Sequence, residues 1–173
     1  MTLGKELLIS DVSYSGWANR RLLDGCSALT ADELGRDLRI SHTSIIETLR
    51  HICDGEKVWL DCLTTTAELG SWRLPEGQAP ELSLDNIQQQ WPGLWERYRH
   101  WLENVSENSL SVEITVQLPG SVEARFSRWQ ILRHVLEHST FHRGQIVAMI
   151  RALGHKPPAI NRMDYYLAGE SAF

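Results

Sequence analysis

Residues 132–154 read LRHVLEHSTFHRGQIVAMIRALG and predict a long amphipathic helix. Apolar residues recur in this stretch at three- and four-residue steps, which is the period of one face of an α-helix. Ser127 and Gln130 upstream form the pattern of a capping box, and Gly154 supplies a stop signal. We therefore predict a helix from Ser127 to Leu153, of about 26 residues and about 39 Å.

Three histidines lie at four-residue steps within the apolar stripe of this helix: His134, His138 and His142. Residues four apart lie one turn above each other, so two adjacent imidazoles can converge on one ion. The outer two are separated by about 12 Å along the helix axis, and we do not expect them to share an ion. On spacing alone, either adjacent pair is a candidate, and hydrogen-bonded core histidines are the alternative.

A further ligand would come from another helix, where the candidates are His42, His51, His100 and His155. Only His51 lies within a strongly periodic segment near an apolar face. The other three fall at a helix start, in a polar stretch and past a helix end, so we expect them to be solvated. Ser139 stands where the zinc-protease pattern H-E-x-x-H has its glutamate, which disfavours peptide hydrolysis by that mechanism.

Three further helices and one hairpin are predicted upstream. The helices span Lys5 to Leu29, Ser44 to Leu63 and about Leu84 to Val105. Pro92 should kink the third of these or delay its start. Residues 70–82 form a predicted long loop, and alternation over 112–126 predicts a short β-hairpin. We predict an all-α fold, an up-and-down four-helix bundle with a hairpin before the last long helix, as a single domain over 1–173.

The composition of the chain disfavours several classes of function and partner. The net charge of -5 and the scattered arginines disfavour nucleic acid as a partner. No apolar run is long enough to span a bilayer and no signal peptide is recognisable, so we expect a cytoplasmic protein with no membrane partner. Cys26, Cys53 and Cys62 lack the C-x-x-C spacing, and buried reduced thiols are expected.

The chain resembles the DinB/YfiT family of metal-dependent four-helix proteins along nearly its whole length. The matching residues are Trp17-Ala18-Asn19-Arg20, residues 47–59 around His51, residues 132–145, Arg151-Ala152-Leu153-Gly154, Pro157-Pro158 and Tyr166-Leu167. The H-x-x-x-H-R-G-Q element at 138–145 is the most specific part. The resemblance implies His51, His138 and His142 as ligands and His134 as their neighbour. It also implies a homodimeric four-helix bundle that binds nickel or zinc.

Three neutral imidazoles leave a tetrahedral ion one open position for water or substrate. Because the resembled family includes isomerases and S-transferases that use small thiols, the resemblance favours a metal-dependent thiol S-transferase, isomerase or hydrolase acting on a small molecule, with a small thiol as a possible cosubstrate. The alternative is a non-catalytic dimeric metal-binding or stress-response protein whose ion holds two helices together. A third hypothesis denies the metal and treats the histidines as core residues.

Several other residues carry weaker predictions. We identify no general base, and Arg20 and Arg143 are expected to be solvated or paired, with binding of an anionic substrate as the alternative. Large aromatic residues at helical spacing favour burial, so Trp17, Trp59 and Trp129 are assigned to the core. For the tryptophans at 91, 95 and 101 we predict a place in a dimer face.

Overall fold

The structure, a computed structural model, describes residues 3–40, 42–64, 82–118 and 122–169. Within these ranges the chain forms seven helices and one two-stranded antiparallel sheet. In chain order they are α1 (Leu3–Cys26), α2 (Ala31–Gly35), α3 (Ile45–Thr64), α4 (Leu84–Asn104), α5 (Glu107–Leu110), β1 (Glu113–Leu118), β2 (Val122–Ser127), α6 (Arg128–Ala152) and α7 (Arg162–Ala168). The fold is therefore mostly helical, with the predicted hairpin directly before the last long helix.

Four long helices correspond to the four that the apolar periodicity predicts. They have 24, 20, 21 and 25 residues and are α1, α3, α4 and α6. Helix α3 packs against α4 and α6, and α1 also packs against α4 and α6. The short helices α2, α5 and α7 were not predicted, so the helix count of four is not matched. They have 5, 4 and 7 residues, which is too short for a periodic apolar face.

The helix ends differ from the prediction at two places. Helix α1 ends at Cys26 rather than at Leu29, and the chain then starts α2 with a capping box in which Thr30 and Glu33 bond reciprocally. Helix α4 runs without interruption from Leu84 to Asn104 with Pro92 inside it, so the delayed start was wrong. Side chains of α4 on both sides of Pro92 are buried against α1 and α3, and this packing outweighs the lost backbone hydrogen bond.

The hairpin joins the middle of the chain to α6. Its strands pair in antiparallel register from Glu113 opposite Ser127 to Leu118 opposite Val122. Ile114 and Val116 are buried, as the alternating pattern predicts. The turn at 119–121 lies outside the described residues, and so does the predicted 70–82 loop apart from Leu82. Because β2 leads directly into Arg128, the hairpin fixes the start of α6.

The burial of the tryptophans agrees only in part with the predictions. Trp17 is buried with Tyr14 and Tyr165, where it joins α1 to α7. Trp91 and Trp95 are buried inside the chain, so the prediction of a dimer face was wrong for them. The core prediction was wrong for Trp129, which is 46% exposed because it lies in the first turn of α6 at the surface.

The three cysteines are buried and unpaired, as predicted. Burial raises the pKa of the thiols of Cys26 and Cys53 to about 12 and that of Cys62 to about 11. At neutral pH these thiols are protonated and poor nucleophiles. No helix within the described residues combines the length and apolarity needed to cross a bilayer.

Candidate metal centre

Four imidazole rings gather where α6 packs against α3. His51 lies on α3, His138 and His142 lie one turn apart on α6, and His42 lies in the connection that precedes α3. The shortest contact joins the Nε2 atoms of His51 and His138, which are 2.9 Å apart. The helices therefore bring side chains that are distant in sequence to one place.

The three residues implied by the family resemblance lie close together. Ring centroids are 4.8 Å apart for His51 and His138, 4.6 Å for His51 and His142, and 4.5 Å for His138 and His142. The last two residues share a face because they are four apart on α6. Packing of α3 against α6 supplies the third ring.

His42 is the fourth ring, and its predicted solvation was wrong. It is half-buried and stacks on His51 with a centroid distance of 3.8 Å and an interplanar angle of 27°. One ligand nitrogen from each of His42, His51 and His142 can be chosen so that all three lie within 4.8 Å of one another. The sequence pattern missed His42 because its position depends on how the connection before α3 turns back.

Burial keeps the central imidazoles uncharged. Desolvation, with repulsion from the neighbouring histidines, lowers the pKa of His51 to about 4 and that of His138 to about 4. Burial also lowers the pKa of His142. A neutral imidazole is the form that binds a metal ion, so these rings need no deprotonation at neutral pH.

Gln145 fixes the tautomer of His142. The Nδ1 atom of His142 is 2.7 Å from the carbonyl oxygen Oε1 of Gln145. An amide oxygen only accepts, so Nδ1 carries the proton and donates it, and Nε2 keeps a free lone pair. Histidine ligands in metal sites are typically oriented in this way by a second hydrogen bond. The sequence pattern did not connect Gln145 with the histidines, although the i, i+3 spacing allows the contact.

Two further residues border His138. His134 is exposed, and its ring lies 5.7 Å from the ring of His138 and 5.3 Å from that of Trp59. It is therefore the neighbour that the resemblance implies. Gly55 faces His138 from α3, and a Cβ atom at Gly55 would lie 3.4 Å from Cε1 of the imidazole. This distance is close to ordinary van der Waals contact, so the ring of His138 packs directly against α3 at Gly55.

A buried carboxylate lies beneath the histidines. Glu56 of α3 is 3% exposed, and its two oxygens accept four hydrogen bonds. The donors are Asn19 Nδ2 (2.9 Å), Ser139 Oγ (2.7 Å), Trp91 Nε1 (2.6 Å) and Trp95 Nε1 (3.1 Å). Glu56 thus ties α3 to α1, α4 and α6 next to His138. Glu56 is a carboxylate within the apolar stripe of α3, and this position was the signal for its structural role. The sequence analysis assigned Glu56 no role.

The two arginines considered for an anionic substrate lie elsewhere. Arg143 is 1% exposed and donates to Ser15, Asn19 and Thr140, so of the two predicted states, solvated or paired, the structure shows the paired one. Arg20 is exposed and lines a groove of about 600 Å³ between α1 and α4. None of the four histidines is among the described residues that line this groove.

The donor set fits a divalent metal ion. Nitrogen ligands at about 2.0–2.1 Å around a tetrahedral ion are about 3.3 Å apart, so the His51–His138 pair needs only a small side-chain movement to admit one. Imidazole ligands suit zinc, nickel, copper and iron. The same contact also serves as an N–H···N hydrogen bond between two neutral rings, which satisfies the pair without an ion.

The chain is similar to known proteins along most of its length. Protein DinB of Bacillus subtilis (strain 168) is 24% identical over 145 residues, which cover 82% of this chain and 83% of that protein. The sequence profile of the DinB family matches residues 4–170. This match includes every described helix apart from the first residue of α1, and all four clustered histidines. The chain belongs to the DinB family.

Proposed function

We propose that this protein binds one divalent metal ion through His51, His138 and His142, with nickel or zinc as the ion. The observation that carries the proposal is the convergence of these rings from α3 and α6. Their lowered pKa values and the hydrogen bond from His142 to Gln145 support it, because both make ligand nitrogens available at neutral pH. We further propose that the four long helices form the up-and-down bundle expected for the family.

We also propose that the metal centre is catalytic, in a thiol S-transferase, isomerase or hydrolase that acts on a small molecule. An ion held by three imidazoles lowers the pKa of a bound water or thiol and stabilises developing negative charge. The chain's own residues hold the site: Gln145 orients His142, and packing against α3 orients His138. Phe141 is 64% exposed, with its ring 5.1 Å from that of His142, and offers apolar contact to a substrate at the rim.

A non-catalytic role is the second candidate. In that case the ion would mainly hold α3 and α6 together. The position of His42 favours this alternative, because a fourth imidazole beside the other three resembles a structural site closed by four protein ligands. Both candidates share the metal and differ in whether a substrate reaches it.

Elemental analysis of protein purified without a metal-affinity tag tests the metal proposal. We expect about one ion per chain in the wild type and a large loss in His51→Ala, His138→Ala and His142→Ala, because each variant removes an imidazole that a long helix holds at the site. His100→Ala is the matched control, since His100 is an exposed histidine of α4. A helical circular dichroism spectrum in each variant shows that the fold persists. Wild-type protein with less than about a tenth of an ion per chain would contradict both metal-binding roles.

Turnover measurements separate the two roles. Wild-type protein and His142→Ala would be compared across a panel of small thiols and electrophiles, with the metal content of each sample measured in parallel. An enzyme loses turnover with the ion. Equal background rates for the two proteins across the panel would favour the non-catalytic role.

We propose a homodimer, as the family resemblance implies. Helix α7 supports this with Met163 and Leu167, two large apolar side chains that the single chain leaves exposed. Light scattering should give the mass of two chains. A monomer mass at micromolar concentration would contradict the proposal, and Leu167→Glu tests whether α7 contributes to the contact.

A further inference from the structure

His42 is positioned by a tightly bonded connection between α2 and α3. The backbone N–H of Thr43 donates to the carbonyl of Ile40 at 2.9 Å, and that of Leu38 donates to the carbonyl of Thr43 at 2.8 Å. The carbonyl of His42 accepts from the N–H of Ser44 at 2.8 Å. The backbone groups of Ile40, His42, Thr43 and Ser44 therefore take part in hydrogen bonds around this imidazole.

Thr43, the residue after His42, has a strained backbone. Its φ is +65°, in the left-handed region that β-branched residues rarely adopt. The Thr43 hydroxyl donates to the Glu47 carboxylate at 3.0 Å, which anchors the turn to the first turn of α3. Glu47 therefore does not form a full capping box with Ser44, although the Ser44 Oγ accepts from the Glu47 N–H at 3.3 Å. Such outliers persist where the surrounding structure holds them, and they concentrate at functional sites.

The imidazole of His42, directly before the strained Thr43, lies next to the proposed ion site. His42 stacks on His51 at 3.8 Å and lies 5.3 Å from His142 between ring centroids. His51 and His142 belong both to the proposed ligand set and to the compact group of nitrogens formed with His42. The two groups of three thus share a pair, and together they offer four imidazoles where the proposed function uses three.

We infer that His42 is a fourth protein ligand of the metal ion, taking the position that His51, His138 and His142 leave open. This inference rests on the proposed metal-binding function. Four imidazoles form a closed coordination shell for zinc or nickel, so a water, thiol or other small ligand binds only after His42 leaves or when the ion expands its coordination. His42 then controls access to the ion, because its side chain can leave the ion while the ligands on α3 and α6 stay in place.

Zinc-loaded protein tests the inference without an activity assay. X-ray absorption of the wild type should show four imidazole nitrogens around zinc. His42→Gln should show three imidazole nitrogens and one ligand that is not an imidazole, such as the oxygen of a water. Competition with a chelator should give a zinc dissociation constant at least about tenfold higher for His42→Gln, with about one ion per chain retained. His100→Gln, the exposed control, should stay within about twofold of wild type.

The outcomes distinguish the two proposals. Three imidazoles in the wild type, with unchanged zinc affinity in His42→Gln, would overturn the role of His42 and leave the three-histidine site intact. A wild type that binds no zinc or nickel would overturn the proposed function and the inference together. Because the wild-type ligand count needs no variant, the inference remains testable even if His42→Gln fails to fold.

Discussion

At the scale of single residues, the hydrogen bond between His142 and Gln145 separates the tasks of the two ring nitrogens. Nδ1 donates to the amide oxygen, and Nε2 is left for the ion. Removing the acceptor frees the ring to rotate or to change tautomer. We therefore expect Gln145→Leu to weaken zinc binding by about 10- to 100-fold, measured by competition with a chelator.

The conservative variant Gln145→Glu provides the control for this effect. A carboxylate at residue 145 still accepts from Nδ1, so affinity close to wild type should be retained. If Gln145→Leu and Gln145→Glu weakened binding equally, the hydrogen bond would not be the cause. Gln89→Leu, a change at an exposed glutamine of α4, should leave affinity unaffected.

The protonation of the histidines makes the stability of metal-free protein dependent on pH. The pKa values of His51 and His138 are about 4 in the folded chain, whereas an unfolded histidine has a pKa of about 6.5. Between these values the unfolded chain binds more protons, so the free energy of unfolding rises with pH. We expect this contribution to be fully present above about pH 6.5 and to be lost as the pH falls to about 4.

Urea unfolding of chelator-treated protein at several pH values measures this effect. Carboxylates also titrate in part of this range, so the informative quantity is the difference between variants. The double variant His51→Gln and His138→Gln should lose much of the decline in stability between about pH 6.5 and 4.5, whereas His100→Gln should keep it. Identical pH profiles for wild type and the double variant would show that these histidines titrate normally.

At the scale of secondary structure elements, Glu56 links all four long helices. Its carboxylate accepts from side chains of α1, α4 and α6, and the Tyr98 hydroxyl of α4 donates to its backbone carbonyl at 2.6 Å. Replacing Glu56 by leucine would leave four buried donors without an acceptor. Each such group carries a desolvation cost, so the loss should exceed that of an ordinary core substitution.

We therefore expect Glu56→Leu to lower the free energy of unfolding by about 3–5 kcal/mol. Urea denaturation measures the change, with Glu96→Leu as the control because Glu96 is an exposed residue of the neighbouring helix α4. A loss below about 1 kcal/mol would mean that the helices hold together without this carboxylate.

The elements that could be predicted from sequence are those with a long local pattern. Helices α1, α3, α4 and α6 bury apolar residues at helical spacing, and β1 alternates, so each carries its own signal. The uninterrupted course of α4 through Pro92 could not be foreseen, because packing against α1 and α3 decides it. The same holds for α2, whose five residues are defined by the capping box of Thr30 and Glu33 rather than by periodicity.

At the scale of the whole molecule, the candidate site contains residues placed by local sequence spacing and residues placed by contacts between distant segments. The spacing of His138 and His142 is a property of one helix and is visible in the sequence. Helical periodicity singled out His51 among the histidines of the other segments, and the family resemblance chose His142 rather than His134 to join His138. The position of the His42 ring depends on the positive φ of Thr43. Threonine disfavours that conformation, so no residue pattern predicts it.

Because the proposed ligands lie on α3 and α6, the ion should stabilise the whole fold. The unfolded chain does not bring His51 to His138 and His142, so metal binds mainly to the folded state. At a free metal concentration of about 100 times the dissociation constant, this adds about 2.7 kcal/mol to the free energy of unfolding. For a chain of this size the melting temperature should rise by about 5–10 °C. Thermal denaturation of chelator-treated protein, with and without added zinc or nickel, measures the rise, and the triple variant of His51, His138 and His142 to alanine should show none. An equal rise in the wild type and the triple variant would place the stabilising ion elsewhere on the molecule, and the helices would then meet without a metal between them.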